Sequence, residues 1–307
     1  MNGVSEAYTF SIIIPTFNGR NKITHSLDSI LGSKYDFEYE IIIVVDGSTD
    51  DTLAVLAPYR NEDVKIIFQE NKGRAVARNK GVQEATGEYL VFLDDDMRLS
   101  RNCLNLHLAH HQAFPNTVLV GNVSLDHSKF SKEFDFYVSH LYDKWELGYA
   151  NKTLLRSENL KFTTQHVSIK GIIFDSINGF DNRLTDAEDY DLAMRLLEAK
   201  IEIYYDPTIV TWHDDFPSLS KYIKRQIEYR LSHQRLIELG KKYEFGVFQP
   251  IEKPAGGAKQ LFLKIFSKSI WVNWVEKEMF VFLPEKIRFK LYATVIYAHT
   301  LKGLRLI

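Results

Sequence analysis

The chain is poor in cysteine and has no long apolar run. Its 307 residues contain a single cysteine, Cys103, so no disulfide can form within the chain, as is usual in a reducing compartment. The first ten residues have neither the basic start nor the apolar stretch of a signal peptide. No apolar run approaches the roughly 18 to 20 residues that a membrane-spanning helix needs. We therefore expect a cytoplasmic protein that does not cross a bilayer.

The glycine-rich phosphate loops of two large enzyme classes are also missing. Neither G-x-x-x-x-G-K-[ST] nor G-x-G-x-x-G occurs, which argues against P-loop kinases and Rossmann dehydrogenases. The nearest feature is NKGRAVARNKG at residues 71–81, where basic residues flanked by glycine enter a predicted helix. Taken alone, this segment is either a phosphate or base contact or the solvated start of a helix.

The small net charge of -2 hides an uneven distribution of charge along the chain. Residues 216–307 contain 17 Lys and Arg against 7 Asp and Glu, whereas residues 1–215 contain 21 against 33. An acidic front therefore carries a basic tail. The composition predicts a division of the chain after residue 215, into an acidic domain at residues 1–215 and a basic, aromatic-rich helical extension at residues 216–307.

The first half of the chain alternates apolar, β-branched runs with stretches of helical periodicity. FSIIIP, EIIIVV, VKIIF and YLVFL predict strands, and the segments between them predict helices. This alternation is typical of an α/β fold with a mostly parallel sheet and helices on both faces, because near-continuous apolar strands need cover on both sides. Segments rich in aromatic residues between 102 and 161 have no clear pattern.

Carboxylates follow two of these predicted strands at the point where each strand ends. Asp46 closes EIIIVV, and Asp94, Asp95 and Asp96 follow YLVFL. Open α/β sheets bind their ligands at the carboxyl ends of the strands. Asp is also common in turns and as a helix N-cap, so either cluster alone is open to a purely structural interpretation.

Three adjacent acids after a buried strand repel one another and need a compensating charge. Carboxylate oxygens suit Mn²⁺ or Mg²⁺, which prefer hard ligands. In the Asp94-x-Asp96 pair, one carboxylate meets the metal and the other meets the metal or the donor sugar, and the metal neutralises a departing diphosphate. We expect Asp94 and Asp95 to contribute to donor binding as well.

Six segments occur in an order that is specific for one enzyme family. They are SIIIPTFNG, VVDGSTDDT, NKGRAVARNKG, FLDDD, NGFDNRLTDAEDYDLAMRL and the later pair Trp212-His213. The set spans roughly residues 10–215 and resembles the family-2 glycosyltransferases of GT-A fold, of the type that builds bacterial polysaccharides and glycolipids. A lone D-x-D would be weak, but six ordered motifs are not expected by chance.

The resemblance implies a role for individual residues on the donor side. Pro15, Thr16 and Asn18 match positions that line the nucleotide pocket, Asp46 matches a base contact, and Arg78 matches a residue that supports the nucleotide. For the metal, Asp94 and Asp96 match the metal-binding D-x-D, and His213 matches a contact to metal or diphosphate.

The resemblance also implies a catalytic base in the segment EDYDL. Asp189 matches the base, Glu188 is the alternative, and Asp191 is expected to be structural. On a helix, Glu188 and Asp191 lie near one face whereas Asp189 points elsewhere. The sequence departs from the family pattern in HVSIK, where relatives commonly carry Asn at the position of His166. This difference changes the hydrogen bonding that is expected on the acceptor side.

The resulting expectation is an inverting transfer of sugar from a nucleotide diphosphate to an acceptor hydroxyl. UDP is the nucleotide that the resemblance favours, with a glycan or a lipid-linked molecule as acceptor and no nucleic acid partner. The basic tail predicts either peripheral contact with the inner face of a membrane or a helical lid. The alternatives are a nucleotidyltransferase and an inactive sugar-binding scaffold.

Overall fold

The computed structural model describes residues 8–241, 243 and 256–305. Residues 1–7, which are most of the segment in which no signal peptide is expected, lie outside the described residues. The strands are β1 Phe10–Thr16, β2 Tyr39–Asp46, β3 Val64–Gln69, β4 Tyr89–Leu93, β5 Met97–Leu99, β6 Val118–Leu125, β7 Thr153–Leu155, β8 His166–Lys170 and β9 Ile203–His213. The α-helices are α1 Ile23–Leu31, α2 Thr52–Leu56, α3 Arg74–Gln83, α4 Cys103–Ala113, α5 Glu133–Glu146, α6 Gly171–Ser176, α7 Glu188–Glu198, α8 Leu219–Glu238, α9 Gly257–Phe266, α10 Ser269–Glu276 and α11 Glu285–Gly303.

The described strands form one mixed sheet in the order β3-β2-β1-β4-β8-β6-β9-β5, with β7 paired to β9. The first four strands in the chain, β1 to β4, pair in parallel, as the sequence predicts. Beyond them the sheet is more mixed than predicted, because β8 runs antiparallel to both of its neighbours and β5 and β7 run antiparallel to β9. The strand β6 runs parallel to β9.

The central strands are covered on both faces, which explains their continuous apolar sequences. Every residue of β1 is buried, and so is every residue of β2 after the first. One face of β2 contributes Ile42 and Val44 to a cluster with Ala77 of α3. Parallel strands of this kind have no face exposed to solvent, so polar and apolar residues do not alternate along their sequences. The predicted α/β class is thus confirmed.

Several predicted elements are found close to their predicted bounds, and the unassigned region is now resolved. The predicted strands at Tyr89–Leu93 and His166–Lys170 are β4 and β8. The aromatic-rich residues that had no clear pattern form α5. Helix α5 buries Phe134, Tyr137 and Val138 on one side, which is why its aromatic residues are closely spaced.

The chain divides into two compact units. The first contains residues 1–125 and 146–214 and carries the whole sheet. The second contains residues 126–145 and 215–307, so it includes most of α5, which the sequence analysis had placed in the first domain. Within the second unit, Phe134 and Tyr137 of α5 contact Tyr292 of α11, and Glu133 pairs with Arg288. The functional division at residue 215 stays a prediction.

Helices of the second unit are too short or too polar to span a membrane. No helix among the residues that the structure describes has the length and apolar character of a membrane span.

Candidate active site

A cleft opens at the carboxyl ends of β1, β2 and β4. It encloses about 750 Å³ of empty space, part of it open to solvent. Its lining consists of Pro15, Thr16, Phe17, Lys22, Asp46, Asn71, Gly73, Arg74, Ala77, Asp94, Asp95, Asp96 and Thr185. The acids after β2 and β4 therefore meet at one edge of the sheet, as their positions in the sequence predict.

Asp95 and Asp96 share one cationic side chain at the floor of this cleft. The Lys22 Nζ lies 2.8 Å from Asp95 Oδ1 and 3.2 Å from Asp96 Oδ2. Thr16 donates a hydrogen bond of 2.5 Å from Oγ1 to Asp95 Oδ2. Burial raises the pKa of Asp95 to about 6, although the charge of Lys22 opposes this shift. Gly19 permits the arrangement, because a Cβ at this position would collide with the Thr16 hydroxyl.

The other oxygen of Asp96 is oriented toward His213. The register of β5 and β9 pairs Met97 with His213, and the backbone N–H of Asp214 donates to Asp96 O at 3.0 Å. His213 Nε2 therefore lies 3.5 Å from Asp96 Oδ1. Burial acts to raise the pKa of Asp96, but the neighbouring His213 imidazole and the charge of Lys22 outweigh it and lower the pKa.

These residues fit a divalent cation. Asp96 Oδ1 is buried without a hydrogen-bond partner, which is costly unless another group satisfies it. A carboxylate oxygen of this kind next to an imidazole nitrogen is a donor set that Mn²⁺ accepts, and Mg²⁺ accepts the oxygens. Asp94, the first residue after β4, lies at the same strand end, and its side chain is partly exposed to the cleft.

Arg78 connects the diacid segment to the carboxylates of α7. Its guanidinium is 1% exposed and binds Asp94 Oδ1 at 2.6 Å and Glu188 Oε1 at 2.5 Å. Such short, charge-assisted bonds hold planar groups in a fixed orientation. Arg78 thus lies behind the cleft. Any effect that it has on nucleotide binding acts through Asp94, whose carboxylate it holds in place.

The start of α7 separates the roles of its three carboxylates. Glu188 is buried and bound by Arg78, whereas Asp191 is buried and forms an ion pair of 2.8 Å with Arg195. Asp189 is only half-buried, and its Oδ1 accepts a 2.7 Å hydrogen bond from the N–H of Tyr190. Burial, followed by the negative charge of Glu188, raises the pKa of Asp189 to about 7.

Asp46 organises the loop between β3 and α3 with its two carboxylate oxygens. Oδ1 accepts from Gln69 Nε2 at 2.7 Å and from the N–H of Lys72 at 2.9 Å, and Oδ2 accepts from the N–H of Gly73 at 2.9 Å. The following Gly47 has φ +71°, and a Cβ there would lie 2.5 Å from the backbone nitrogen of Asn71. This close approach requires glycine.

Asn18 joins the loops after β1 and β2. It has a left-handed backbone with φ 52°, its N–H donates to Ser48 Oγ at 2.9 Å, and its Oδ1 accepts from the N–H of Thr49 at 2.8 Å. The structure thus places Asn18 beside the cleft rather than in its lining.

Two residues that line the cleft, Lys22 and Thr185, were not predicted from the sequence. For Lys22, the available clue was a lysine that follows shortly after the first predicted strand.

His166 does not face an acceptor, since it belongs to a buried network on α4, β8 and β9. Its Nε2 lies 2.8 Å from His107 Nε2 and 3.2 Å from Cys103 Sγ, and its Nδ1 lies 3.2 Å from Thr211 Oγ1. The ligand atoms of these two histidines and the cysteine all lie within 4.8 Å of one another, as in a metal site. Room for His166 exists because Gly121 lacks a Cβ.

Hydrogen bonds within the chain account for both ring nitrogens of His166 and His107 and for Nε2 of His111, and of these rings only His111 Nδ1 is buried without a partner. Thr211 Oγ1 donates to Asn122 O, so we assign a proton to His166 Nδ1 and a free lone pair to Nε2, which accepts from His107 Nε2–H. Ser168 Oγ then donates to His107 Nδ1 and accepts from His111 Nε2. All three imidazoles are neutral in this arrangement, and no metal is needed to complete it.

The neutral network predicts that the fold loses stability in mild acid. Burial lowers the pKa of His166 to about 4 and of His111 to about 3, against about 6.5 in an unfolded chain. The contribution of each is complete above pH 6.5 and is lost as the pH falls toward 4, since only the unfolded state binds the proton. At pH 5 we expect a loss of about 2 kcal/mol per histidine, measured by urea unfolding.

A pair of variants separates this effect from general acid denaturation. His111→Gln removes one titrating group and is expected to flatten the dependence of the unfolding free energy on pH between 6.5 and 5. The exposed His25→Gln is the matched control and should leave the slope unchanged. An equal slope in His111→Gln and the wild type would contradict the assignment of neutral histidines.

Sequence comparison identifies relatives over most of the chain. Residues 11–179 match the family described as Glycosyl transferase family 2. The uncharacterized glycosyltransferase YfnE of Bacillus subtilis (strain 168) is 27% identical over 69% of this chain and 66% of its own length. A dolichyl N-acetyl-alpha-D-glucosaminyl phosphate 3-beta-D-2,3-diacetamido-2,3-dideoxy-beta-D-glucuronosyltransferase of Methanococcus voltae is 25% identical over 75% of this chain and 74% of its own. The chain thus matches about two thirds to three quarters of the length of these relatives.

Solved structures share the fold at low sequence identity. The mannosyltransferase PcManGT from Pyrobaculum calidifontis, in complex with GDP-Man and Mn²⁺, gives a TM-score of 0.62 at 18% identity, covering 98% of this chain and 88% of its own. This likeness confirms the GT-A type of fold that the sequence predicts. S. aureus TarS 1-349 in complex with UDP-GlcNAc gives 0.52 at 19% identity, covering 97% and 91%. The family match covers more than half of the chain and is joined by a structural likeness over nearly all of it. This chain belongs to glycosyl transferase family 2.

Proposed function

We propose that the protein is a metal-dependent, inverting glycosyltransferase. In this proposal it moves a sugar from a nucleotide diphosphate, with UDP favoured, to a hydroxyl of a glycan or a lipid-linked acceptor. The observation that carries the proposal is that Asp94 and Asp96 line the cleft and that His213 Nε2 lies 3.5 Å from Asp96 Oδ1. Asp96 Oδ1, buried, without a hydrogen-bond partner and facing His213, supports a cation site there.

The donor side of the proposal rests on the cleft. Pro15, Thr16 and Asp46 line it at the ends of β1 and β2, where α/β sheets bind nucleotides. Arg74 contributes a guanidinium group to the lining, which favours a phosphate, whereas Lys22 is held by Asp95 and Asp96. Two structures of similar fold bind UDP-GlcNAc and GDP-Man, so both uridine and guanosine donors belong in a test.

The metal site would consist of Asp94, Asp96 and His213, with Asp95 supporting it through Lys22. A bound Mn²⁺ or Mg²⁺ stabilises the negative charge that develops on the departing diphosphate. The protein's own contribution is to keep these ligands in place. Arg78 fixes Asp94 from behind, and the pairing of β5 with β9 fixes Asp96 against His213.

Asp189 is the proposed general base, and Glu188 is the alternative. Asp189 Oδ1 already accepts from a backbone N–H, which leaves Oδ2 to take the proton of the acceptor hydroxyl. As that proton leaves, the acceptor oxygen forms a bond to the anomeric carbon. The bond from this carbon to the diphosphate breaks on the opposite side, and its electron pair stays with the diphosphate oxygen. A pKa of about 7 suits this role, because about half of the carboxyl groups are then ionised at neutral pH and the ionised form binds a proton strongly.

A donor screen tests the proposal directly. Thermal unfolding is followed with UDP-, GDP- and dTDP-sugars, with and without Mn²⁺, because a ligand that binds only the folded state raises its stability. At a donor concentration about 100 times the Kd we expect about 2.7 kcal/mol of added stability for the matching donor. That gain should require the metal.

Turnover separates the proposed enzyme from its alternatives. Slow release of free nucleotide diphosphate from the matching donor, stimulated by Mn²⁺, is expected of a transferase without its acceptor. An inactive scaffold would bind the donor and release nothing, and a nucleotidyltransferase would release pyrophosphate from a nucleoside triphosphate instead. Either of these two results would contradict the proposal.

A further inference from the structure

The second unit exposes an unusual amount of apolar surface at its carboxy-terminal end. Nine of the 21 large apolar side chains that are exposed in the described part of the chain lie between residues 256 and 305. Those of α9 and its neighbours include Leu261, 62% exposed, Phe262, 50%, and Phe282, 77%. A soluble protein seldom clusters such residues without a binding partner.

The exposed residues of α9 form one face of the helix. Leu261, Phe262 and Ile265 are spaced so that they lie on the same side, whereas Leu263 points the other way and packs against Ala298 and Leu301 of α11. The inward side of α9 is therefore already used for packing within the unit. In the part of the chain that the structure describes, the apolar side chains on its outward side remain exposed to solvent.

Aromatic rings extend this face from α9 across α10. Phe262 contacts Phe266 at 4.6 Å between ring centroids, and Phe266 stacks on Trp271 at 4.5 Å. Trp271 continues to Trp274 at 5.2 Å and to Phe280 at 6.2 Å. The indole N–H of Trp271 donates to the backbone carbonyl of Ile265, so its ring lies at the surface with its polar group satisfied. We name these five rings, with Leu261, Ile265 and Phe282, the aromatic face.

Basic residues surround the aromatic face. Residues 256–305 contain nine Lys and Arg but only three acids, Glu276, Glu278 and Glu285. Two of the acids are engaged within the unit, since Glu276 accepts from Ser220 and Glu278 accepts from the N–H of Glu133. The basic side chains next to the aromatic face, namely Lys259, Lys264, Lys268 and Lys277, are exposed.

We infer that the aromatic face docks on the surface of an anionic lipid bilayer. Phe and Trp side chains that enter the interfacial region, flanked by lysines that reach anionic headgroups, are the combination that binds helices to such surfaces. The excess positive charge selects a negatively charged surface rather than a second copy of the same basic face, which would repel it. This inference is independent of which donor the enzyme uses.

Co-sedimentation of the full chain with vesicles tests the inference. We expect binding to vesicles of phosphatidylcholine with about a third phosphatidylglycerol, and little binding to phosphatidylcholine alone. Raising the salt concentration should weaken the binding, because exposed charges are screened. Lys264→Gln with Lys268→Gln should weaken it about fivefold for each lysine removed. Lys34→Gln, at an exposed position of the first unit, is the control.

Apolar insertion is tested separately. Phe262→Ser with Phe282→Ser should reduce binding to the anionic vesicles at least about tenfold. Leu53→Ser with Phe68→Ser, two exposed apolar residues of the first unit, is the matched control and should bind as wild type does. Thermal unfolding of all variants and their donor binding, which depends on the first unit, confirm that they remain folded.

Three results would overturn the inference. One is equal binding to neutral and anionic vesicles, and another is no binding to either. The third is light scattering that shows a dimer which Phe262→Ser with Phe282→Ser dissociates, because the aromatic face would then be an interface between two copies.

Discussion

Asp189→Asn is expected to abolish sugar transfer while leaving the fold and donor affinity close to those of the wild type. Asparagine has the same size and can still accept the hydrogen bond from the N–H of Tyr190, but it cannot take a proton. Removal of a general base costs about 10² to 10⁴ in rate. Steady-state turnover with the matching donor measures the loss. A variant that keeps about a tenth of wild-type turnover would move the role to Glu188.

The pKa of Asp189 adds a second readout. Because only the ionised carboxylate accepts a proton, turnover should rise with pH, reach half of its maximum near pH 7, the raised pKa, and level off about one pH unit higher. Asp181→Asn is the matched control, since Asp181 lies earlier in the same segment and pairs with Arg183. Its turnover and pH profile should both resemble the wild type.

Asp96→Ala is expected to remove most of the Mn²⁺-dependent part of donor binding. The substitution deletes the buried carboxylate that lies between Lys22 and His213. Loss of a group that only supports a metal ligand already costs about 10- to 100-fold in metal affinity, so loss of a ligand should cost at least as much. Calorimetric titration of donor with and without Mn²⁺ measures the effect.

The control for Asp96→Ala must remove a carboxylate that lies outside the cleft. Asp63 is suitable, because it only accepts a hydrogen bond from Tyr8 at the surface. Asp63→Ala should keep the full response to Mn²⁺. If Asp96→Ala bound donor as tightly as wild type, with an undiminished response to Mn²⁺, the assignment of the metal site would be wrong.

The three carboxylates of α7 show which part of a residue's role can be predicted from helical spacing alone. The sequence alone predicts that Glu188 and Asp191 share a face and that Asp189 points elsewhere, because a helix turns by a fixed angle per residue. The structure gives that difference a chemical meaning, since both buried acids are bound by arginines. Which arginine binds which acid was not predictable, because Arg78 comes from a distant helix.

The sequence by itself determined the family, the strands β1 to β4 and the positions of the acids, since motif order and apolar runs are local properties of the chain. Only the tertiary structure decided which of these residues meet. Asp96 reaches His213 through the register of β5 and β9, and Lys22 reaches the diacid across the ends of two strands. His166 illustrates the same limit, since its buried partners come from α4 and β9. Contacts between segments far apart in the chain depend on sheet order and register, which no local pattern encodes.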